Sequence, residues 1–137
     1  MEARVATWTD VESVLDRLSE QHRVEYEALG WPSEEFLARM ARYMAEADTK
    51  CLWFDGKPQA VLAIKPGAPL PTTWLAVTKE FYGKGMGPTR FARRYMQQAV
   101  QRHGPILSVI GSGHPQAAKW MKVLGYQQIG ENIFLFA

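Results

Sequence analysis

Apolar positions recur along the chain at two spacings, and the changes between them divide it into elements. The segment "ARVATW" alternates and predicts a short first strand. Val11, Val14, Leu15 and Leu18 then share one helical face, with Thr9 or Asp10 as the capping residue. "QHRVEYEALGW" continues this helix or forms a short second one, stopped by Gly30 and Pro32. Ser33 caps the next helix, whose stripe is Phe36, Leu37, Met40, Tyr43 and Met44 and which ends near Asp48. "KCLWF" and "QAVLAIK" flank "DGKP", so Asp55-Gly56 predicts a tight hairpin turn. "PGAPLP" is a loop, and the nearly continuous apolar run "TTWLAVT" predicts a central strand covered on both faces.

The second half repeats the alternation. Phe91, Ala92, Tyr95, Met96, Ala99 and Val100 make a helical stripe ended by His103-Gly104-Pro105. "ILSVI" reads as a buried strand and "GSGHP" as a turn. Pro115 suits the first position of a helix through about Val123, closed by Gly125. "YQQIG" and "IFLFA" form a last hairpin around Glu131-Asn132. The order β-α-(α)-α-β-β-β-α-β-α-β-β predicts an α/β or α+β sandwich, a mixed sheet with helices on both faces. The best βαβ unit runs from Thr72 to Ile110.

Composition narrows the class. The chain has 137 residues, 47% of them hydrophobic and 22% charged, which suits one globular domain over residues 1–137. Sixteen basic against fourteen acidic residues leave a formal charge of +2, too balanced for a general nucleic-acid binder. One cysteine and three histidines do not make a usual zinc cluster. Cys51, within "TKCLWF", reads as a buried, inert thiol. The N-terminus lacks a signal-length apolar run and no window approaches a membrane span, so a cytoplasmic protein is expected.

The junction "VTKEFYGKGMGPTRF" holds the candidate chemistry. A strand ends, Gly83, Gly85 and Gly87 follow within five residues, and a helix begins at Pro88. The first helical turn leaves N–H groups without intrahelical partners, and the aligned peptide dipoles add positive charge there. Glycines let an anion approach the backbone closely, and Lys84 adds a formal charge. A phosphate or diphosphate fits such a junction. A Walker A string is absent, and Pro88 replaces the third glycine of the dinucleotide fingerprint.

The same stretch resembles the coenzyme A loop of the GNAT superfamily of N-acetyltransferases. Val77, Glu80, Phe81, Gly83, Lys84, Gly85, Met86 and Gly87 stand where that family has similar residues. "HPQAAKWMKVLGYQQIG" resembles the family's closing motif, with Ala117, Leu124, Gly125 and Tyr126 in register. The likeness spans roughly residues 50 to 136, and the chain also resembles small GNAT-like proteins of T7-like tailed phages. It implies a mostly antiparallel mixed sheet with a central, splayed parallel pair. It implies acetyl-CoA as acyl donor and an amine, on a small molecule or a protein, as acceptor. The loop Tyr82, Gly83, Lys84, Gly85, Met86 and Gly87 is expected to wrap the diphosphate. Leu75, Ala76 and Val77 are expected to bind the pantetheine arm through their main chain. By the same resemblance the protein acts in a cytoplasm, a host's if it is phage-encoded, or within a virion, and relatives often form homodimers.

Several positions depart from the family pattern. Tyr82 stands for an arginine or glutamine, and Pro88 removes one N–H donor that the Thr89 hydroxyl could replace. The tyrosine that often protonates the leaving thiolate falls at Met121, which has no acid function. The asparagine that often contacts the pantetheine falls at His114. Some relatives place a glutamate in the central strand, where this chain has no carboxylate. The catalytic candidates are therefore Glu80, at the strand end, and His114, near the expected thioester. His22 and His103 read as surface or helix-end residues. Arg90, Arg93, Arg94 and Arg102 read as a solvated helix face, or as contacts for the 3′-phosphate of coenzyme A or a nucleic acid. Among the tryptophans, Trp31 and Trp53 are the candidates for an acceptor wall. The alternative to an enzyme is a catalytically weak or inactive module of this fold, serving as a virion component or host-directed factor.

Overall fold

Residues 1–83, 85–109 and 115–137 are described by a computed structural model. Lys84 and residues 110–114 lie outside the described residues, and with them most of the stretch "GSGHP" expected to be a turn. The elements are β1 (Glu2–Val5), α1 (Trp8–Asp16), α2 (Glu20–Ala28), α3 (Glu34–Glu46), β2 (Asp48–Phe54), β3 (Lys57–Lys65) and β4 (Thr72–Val77). They continue with α4 (Lys79–Tyr82), α5 (Gly87–His103), β5 (Ile106–Val109), α6 (Pro115–Leu124), β6 (Gln127–Gly130) and β7 (Ile133–Phe136).

Local chemistry sets most boundaries. The cap of α1 is Thr7, two residues before Thr9 and three before Asp10, the two expected positions. Its hydroxyl accepts from Asp10 N–H at 3.2 Å while the Asp10 carboxylate accepts from Thr7 N–H at 3.0 Å. Asp10 is thus the reciprocal partner of a capping box and not the cap. Ser19 caps α2, which makes it a separate helix, and Ser33 caps α3. At the β2–β3 turn Asp55 (φ 54°) and Gly56 (φ 72°) both occupy the left-handed region that a two-residue hairpin requires. The four-residue helix α4 stands where the sequence suggested only a turn.

The strands form one seven-stranded sheet in the order β1-β2-β3-β4-β5-β7-β6. Every pairing is antiparallel except β4–β5. Side-chain alternation sorts the core into two layers. Cys51, Val61 and Ala76 face α1, α2 and α3, meeting Val11, Val14, Leu15, Tyr26, Phe36 and Met40. Leu62, Ile64, Ile106, Phe134 and Phe136 face the other way and pack on Ala92, Met96 and Ala99 of α5 and Met121 and Leu124 of α6. Helices therefore cover both faces, as the element order predicts.

Two strands differ from expectation. Coverage of β4 on both faces is complete only at Ala76 and Val77, while Thr73 to Leu75 are half-buried. β5 begins buried at Ile106 (0% exposed) and ends open at Val109 (63%), so it is not a buried strand along its length. Both effects arise where β4 and β5 part company.

Phe134 is fully enclosed between the sheet and α5 and α6. Phe134→Ala is expected to lower unfolding free energy by about 3 to 5 kcal/mol, as large-to-small core changes do. Val109→Ala should change it by less than about 0.5 kcal/mol. Urea titration of both variants checks this, with equal m-values expected.

Candidate functional site

β4 and β5 are in register at one place, Thr72 opposite Leu107, where Leu107 N–H donates to Pro71 O at 2.9 Å. Main-chain groups of alternate residues point to opposite sides of a strand. Pro71 faces β5, so Thr73, Leu75 and Val77 do as well, and Thr78 N–H accordingly bonds Gln59 O of β3 at 3.0 Å. Past Thr73 this edge of β4 has left β5, and α2 with the turn before it supplies partners instead. Val77 N–H donates to His22 Nδ1 at 3.2 Å, and Ser19 N–H donates to Val77 O at 2.9 Å. The Tyr26 hydroxyl donates to Leu75 O.

His22 is therefore not a surface residue. It is 5% exposed, and burial pushes its pKa down to about 4. Because Nδ1 accepts from a peptide N–H, the neutral ring carries its proton on Nε2. The Ser19 hydroxyl, which accepts from the His22 main chain, lies 3.2 Å from the same Nδ1.

The parting strands leave a cavity of about 290 Å³. α2 lines it with Gln21, His22, Glu25, Tyr26 and Leu29, and β4 with Thr73, Trp74 and Leu75. Ser108 and Val109 of β5 and Trp120 and Met121 of α6 complete it. α2 and α6 lie on opposite faces of the sheet, so this space passes through the sheet. A narrow extension shares Thr73, Leu75, Ser108, Trp120 and Met121 and runs into the α5–α6 layer beside Phe81 and Tyr126. The walls are Trp74 and Trp120; Trp31 packs in the α1–α3 layer and Trp53 lies under Arg4, 4.2 Å from ring centre to guanidinium.

The glycine loop sits beyond the end of β4. Gly83 caps α4, Gly85 has φ 70°, and Met86 caps α5 without a side-chain hydrogen bond. The first turn of α5 carries no acidic residue. Gly83 and Gly85 are exposed, and a Cβ on Gly85 would meet nothing within 4 Å, so the backbone there is open to a ligand. A Cβ on Gly87 would lie 3.1 Å from the Met1 side chain. Tyr82 ends α4. Thr89 is 7% exposed on the buried face of α5, an awkward place for the phosphate contact suggested for its hydroxyl. Main-chain groups of Ala76 turn towards β3, which leaves Leu75 and Val77 as the members of that trio facing the cleft.

Glu80 does not line the cavity. Its carboxylate accepts from Arg17 at 3.0 Å, and Arg17 also reaches Gln59 Oε1, Ser13 Oγ and Pro58 O. This clamp ties the α1–α2 turn to β3 and α4. His114 and Lys84 fall outside the described residues. Arg93 is half-buried and donates from Nε to Val123 O at 3.1 Å, so it joins α5 to α6 and is not part of a solvated face. Arg90 and Arg94 are exposed, while Arg102 and His103 both approach Asp48 at 3.6 Å. Cys51 is fully buried, and burial pushes its thiol up to about 12. No cluster of His, Cys, Asp and Glu among the described residues could hold a metal ion, and none of their helices is long and apolar enough to cross a membrane.

Neither a family model nor a curated protein matches the sequence. Solved structures share its architecture. A "probable acetyltransferase" from Staphylococcus epidermidis gives a TM-score of 0.72 at 11% identity, over 98% of this chain and 97% of that one. A GNAT superfamily phosphinothricin acetyltransferase from Sinorhizobium meliloti, solved in complex with AcCoA, gives 0.63 at 17% identity, over 94% and 76%. A "putative acetyltransferase" from Thermoplasma acidophilum gives 0.65 at 14% identity, over 94% of this chain but only 54% of that one. The fold is thus that of the GNAT acetyltransferases, with the expected central parallel pair that splays apart.

His22 yields a pH prediction. Its folded pKa of about 4 lies below the ordinary 6.5, so the unfolded chain binds more protons between those values. The stability is complete above the ordinary value and is lost as pH falls towards the folded one, by about 3 kcal/mol in the limit. Unfolding measured across this window should show that loss, and His22→Asn, which keeps an acceptor for Val77 N–H, should remove the part due to histidine.

Proposed function

We propose that the protein is an N-acetyltransferase that uses acetyl-CoA and acts on an amine by direct attack. The observation that carries this reading is the cavity lined from both faces of the sheet through the gap between β4 and β5. Two reactants entering from opposite faces can meet there without either crossing a closed sheet. The residues present fit the donor: open glycine backbone, an uncapped helix start without acidic neighbours, and a strand edge leading from it into the cleft.

In this reading the N–H groups around Gly83, Gly85 and Gly87, with Tyr82, Lys84 and Met86, hold the diphosphate. Leu75 and Val77 present their main chain to the pantetheine arm, which exchanges partners with Tyr26, His22 and Ser19. The donor supplies a thioester whose carbonyl carbon accepts the amine nitrogen, with loss of the thiol. Cleft residues hold the two groups in line and exclude water, and such positioning supplies much of the rate. Met121 contributes no proton, so the leaving thiolate takes one from solvent or from His114. Glu80 serves better as the partner of Arg17 than as a base.

A second reading is a binding or structural module, of the kind found in tailed phages. Met121 at the acid position and the engaged edge of β4 favour it. Calorimetric titration with acetyl-CoA separates the two. Binding at micromolar concentration, abolished by Gly85→Glu with Gly87→Glu, is expected for the enzyme. No binding at millimolar acetyl-CoA contradicts it.

A further inference from the structure

α2 and α3 leave a second hollow, outside the gap between β4 and β5. It measures about 190 Å³ and is lined by Leu29 beyond the end of α2, by Phe36, Arg39, Met40 and Tyr43 of α3, and by Trp74 of β4. Phe36 and Met40 are buried while Leu29 is 53% exposed, so the hollow opens from the α1–α3 layer to solvent. Among the described residues lining it, Arg39 alone carries a charge. Its Nη2 donates to Leu29 O at 2.9 Å, and its guanidinium carbon lies 6.0 Å from the Phe36 ring centre. These contacts hold the group in place and leave most of its five N–H donors unused. No described carboxylate is ion-paired to it. The hollow and the cleft share Leu29 and Trp74, and the Trp74 indole stacks on the Tyr26 ring at 5.7 Å.

We propose that this hollow is a separate small-molecule site, which takes a compact aromatic carboxylate with its ring among Phe36, Met40 and Trp74 and its anionic group on Arg39. A contiguous apolar surface left open to solvent marks a binding site more often than scattered exposed side chains do. Aromatic walls accept a ring edge-on or offset, and the flexible Met40 thioether adapts to its outline. The planar guanidinium matches both oxygens of a carboxylate, and as the one lining charge it selects an anion and disfavours an amine. At about 190 Å³ the space is below that of a drug-sized site and suits one ring with a short arm, with no room for an ordered length of polypeptide. The inference stands on α2, α3 and β4 and does not rest on the transferase reading.

Phenylacetate and phenethyl alcohol share the ring and differ in the group that ends the arm. Each can be titrated into the isotope-labelled protein while the Trp74 indole NMR signal, assigned with Trp74→Phe, is followed. The carboxylate is expected to bind about tenfold or more tightly than the alcohol. Arg39→Gln should erase that preference while alcohol affinity stays within about twofold, and Arg39→Lys should retain part of it. Circular dichroism confirms that the variants are folded. Equal affinities in the unaltered protein, a preference that survives Arg39→Gln, or no response of the Trp74 indole to phenylacetate overturns the proposal. A protein that prefers the carboxylate yet fails to bind acetyl-CoA keeps this site and loses the transferase reading. One that binds acetyl-CoA without preferring the carboxylate does the reverse.

Discussion

The ladder between β4 and β5 stops after one register, and most of the remaining architecture answers that interruption. A strand edge in a protein interior cannot leave its N–H and C=O groups without partners, because each orphan costs about 1 to 3 kcal/mol. Here the edge of β4 beyond Thr73 is completed from a different direction. His22, Tyr26 and the main chain of Ser19 take over at Val77 and Leu75. The isolated bridge between Leu18 and Thr78 extends the same seam. A seven-stranded sheet thus keeps a central gap without exposing its main chain wholesale.

This substitution couples three things that are separate in sequence. The α1–α2 turn is fixed against β4 by backbone bonds and by Arg17, which also binds Glu80 beside the glycine loop. The rotation of α2 then follows, and with it the identity of the side chains that enter the cleft. The cost is a buried imidazole that must stay neutral, which makes stability fall in mild acid. The gain is a cavity with walls from both layers, open at the strand ends where the glycine loop lies. That combination of fold and loop is the basis for the acetyl-transfer reading.

Much of this was legible in the chain itself. Asp55-Gly56 announces its hairpin because few residues tolerate that turn, and Ser33 announces α3 because its hydroxyl satisfies a local donor. The βαβ unit and its glycine junction follow from periodicity and punctuation within a few dozen residues. What was not legible depends on partners far apart in sequence. Nothing local distinguishes His22 from a solvated helix residue; its role is set by Val77, 55 positions away. Arg93 looks like one member of a basic face until Val123 supplies its acceptor. Trp74 and Trp120 become cleft walls only because the sheet opens beside them, whereas Trp31 and Trp53 are ordinary packing residues elsewhere. Of the tested boundaries, Thr7 was displaced because two acceptable caps, Thr9 and Asp10, follow it closely.

The proposed reading requires the gap between β4 and β5, with the glycine loop at its end, to be a ligand site. Amide NMR of the isotope-labelled protein during titration with coenzyme A tests it most directly. Perturbed amides are expected at Leu75, Val77, Gly83, Gly85 and Gly87, with His22 and Tyr26 responding as they change partners, and little change along β1 and β6. Perturbations confined to surfaces away from this seam, or none at saturating coenzyme A, would contradict it.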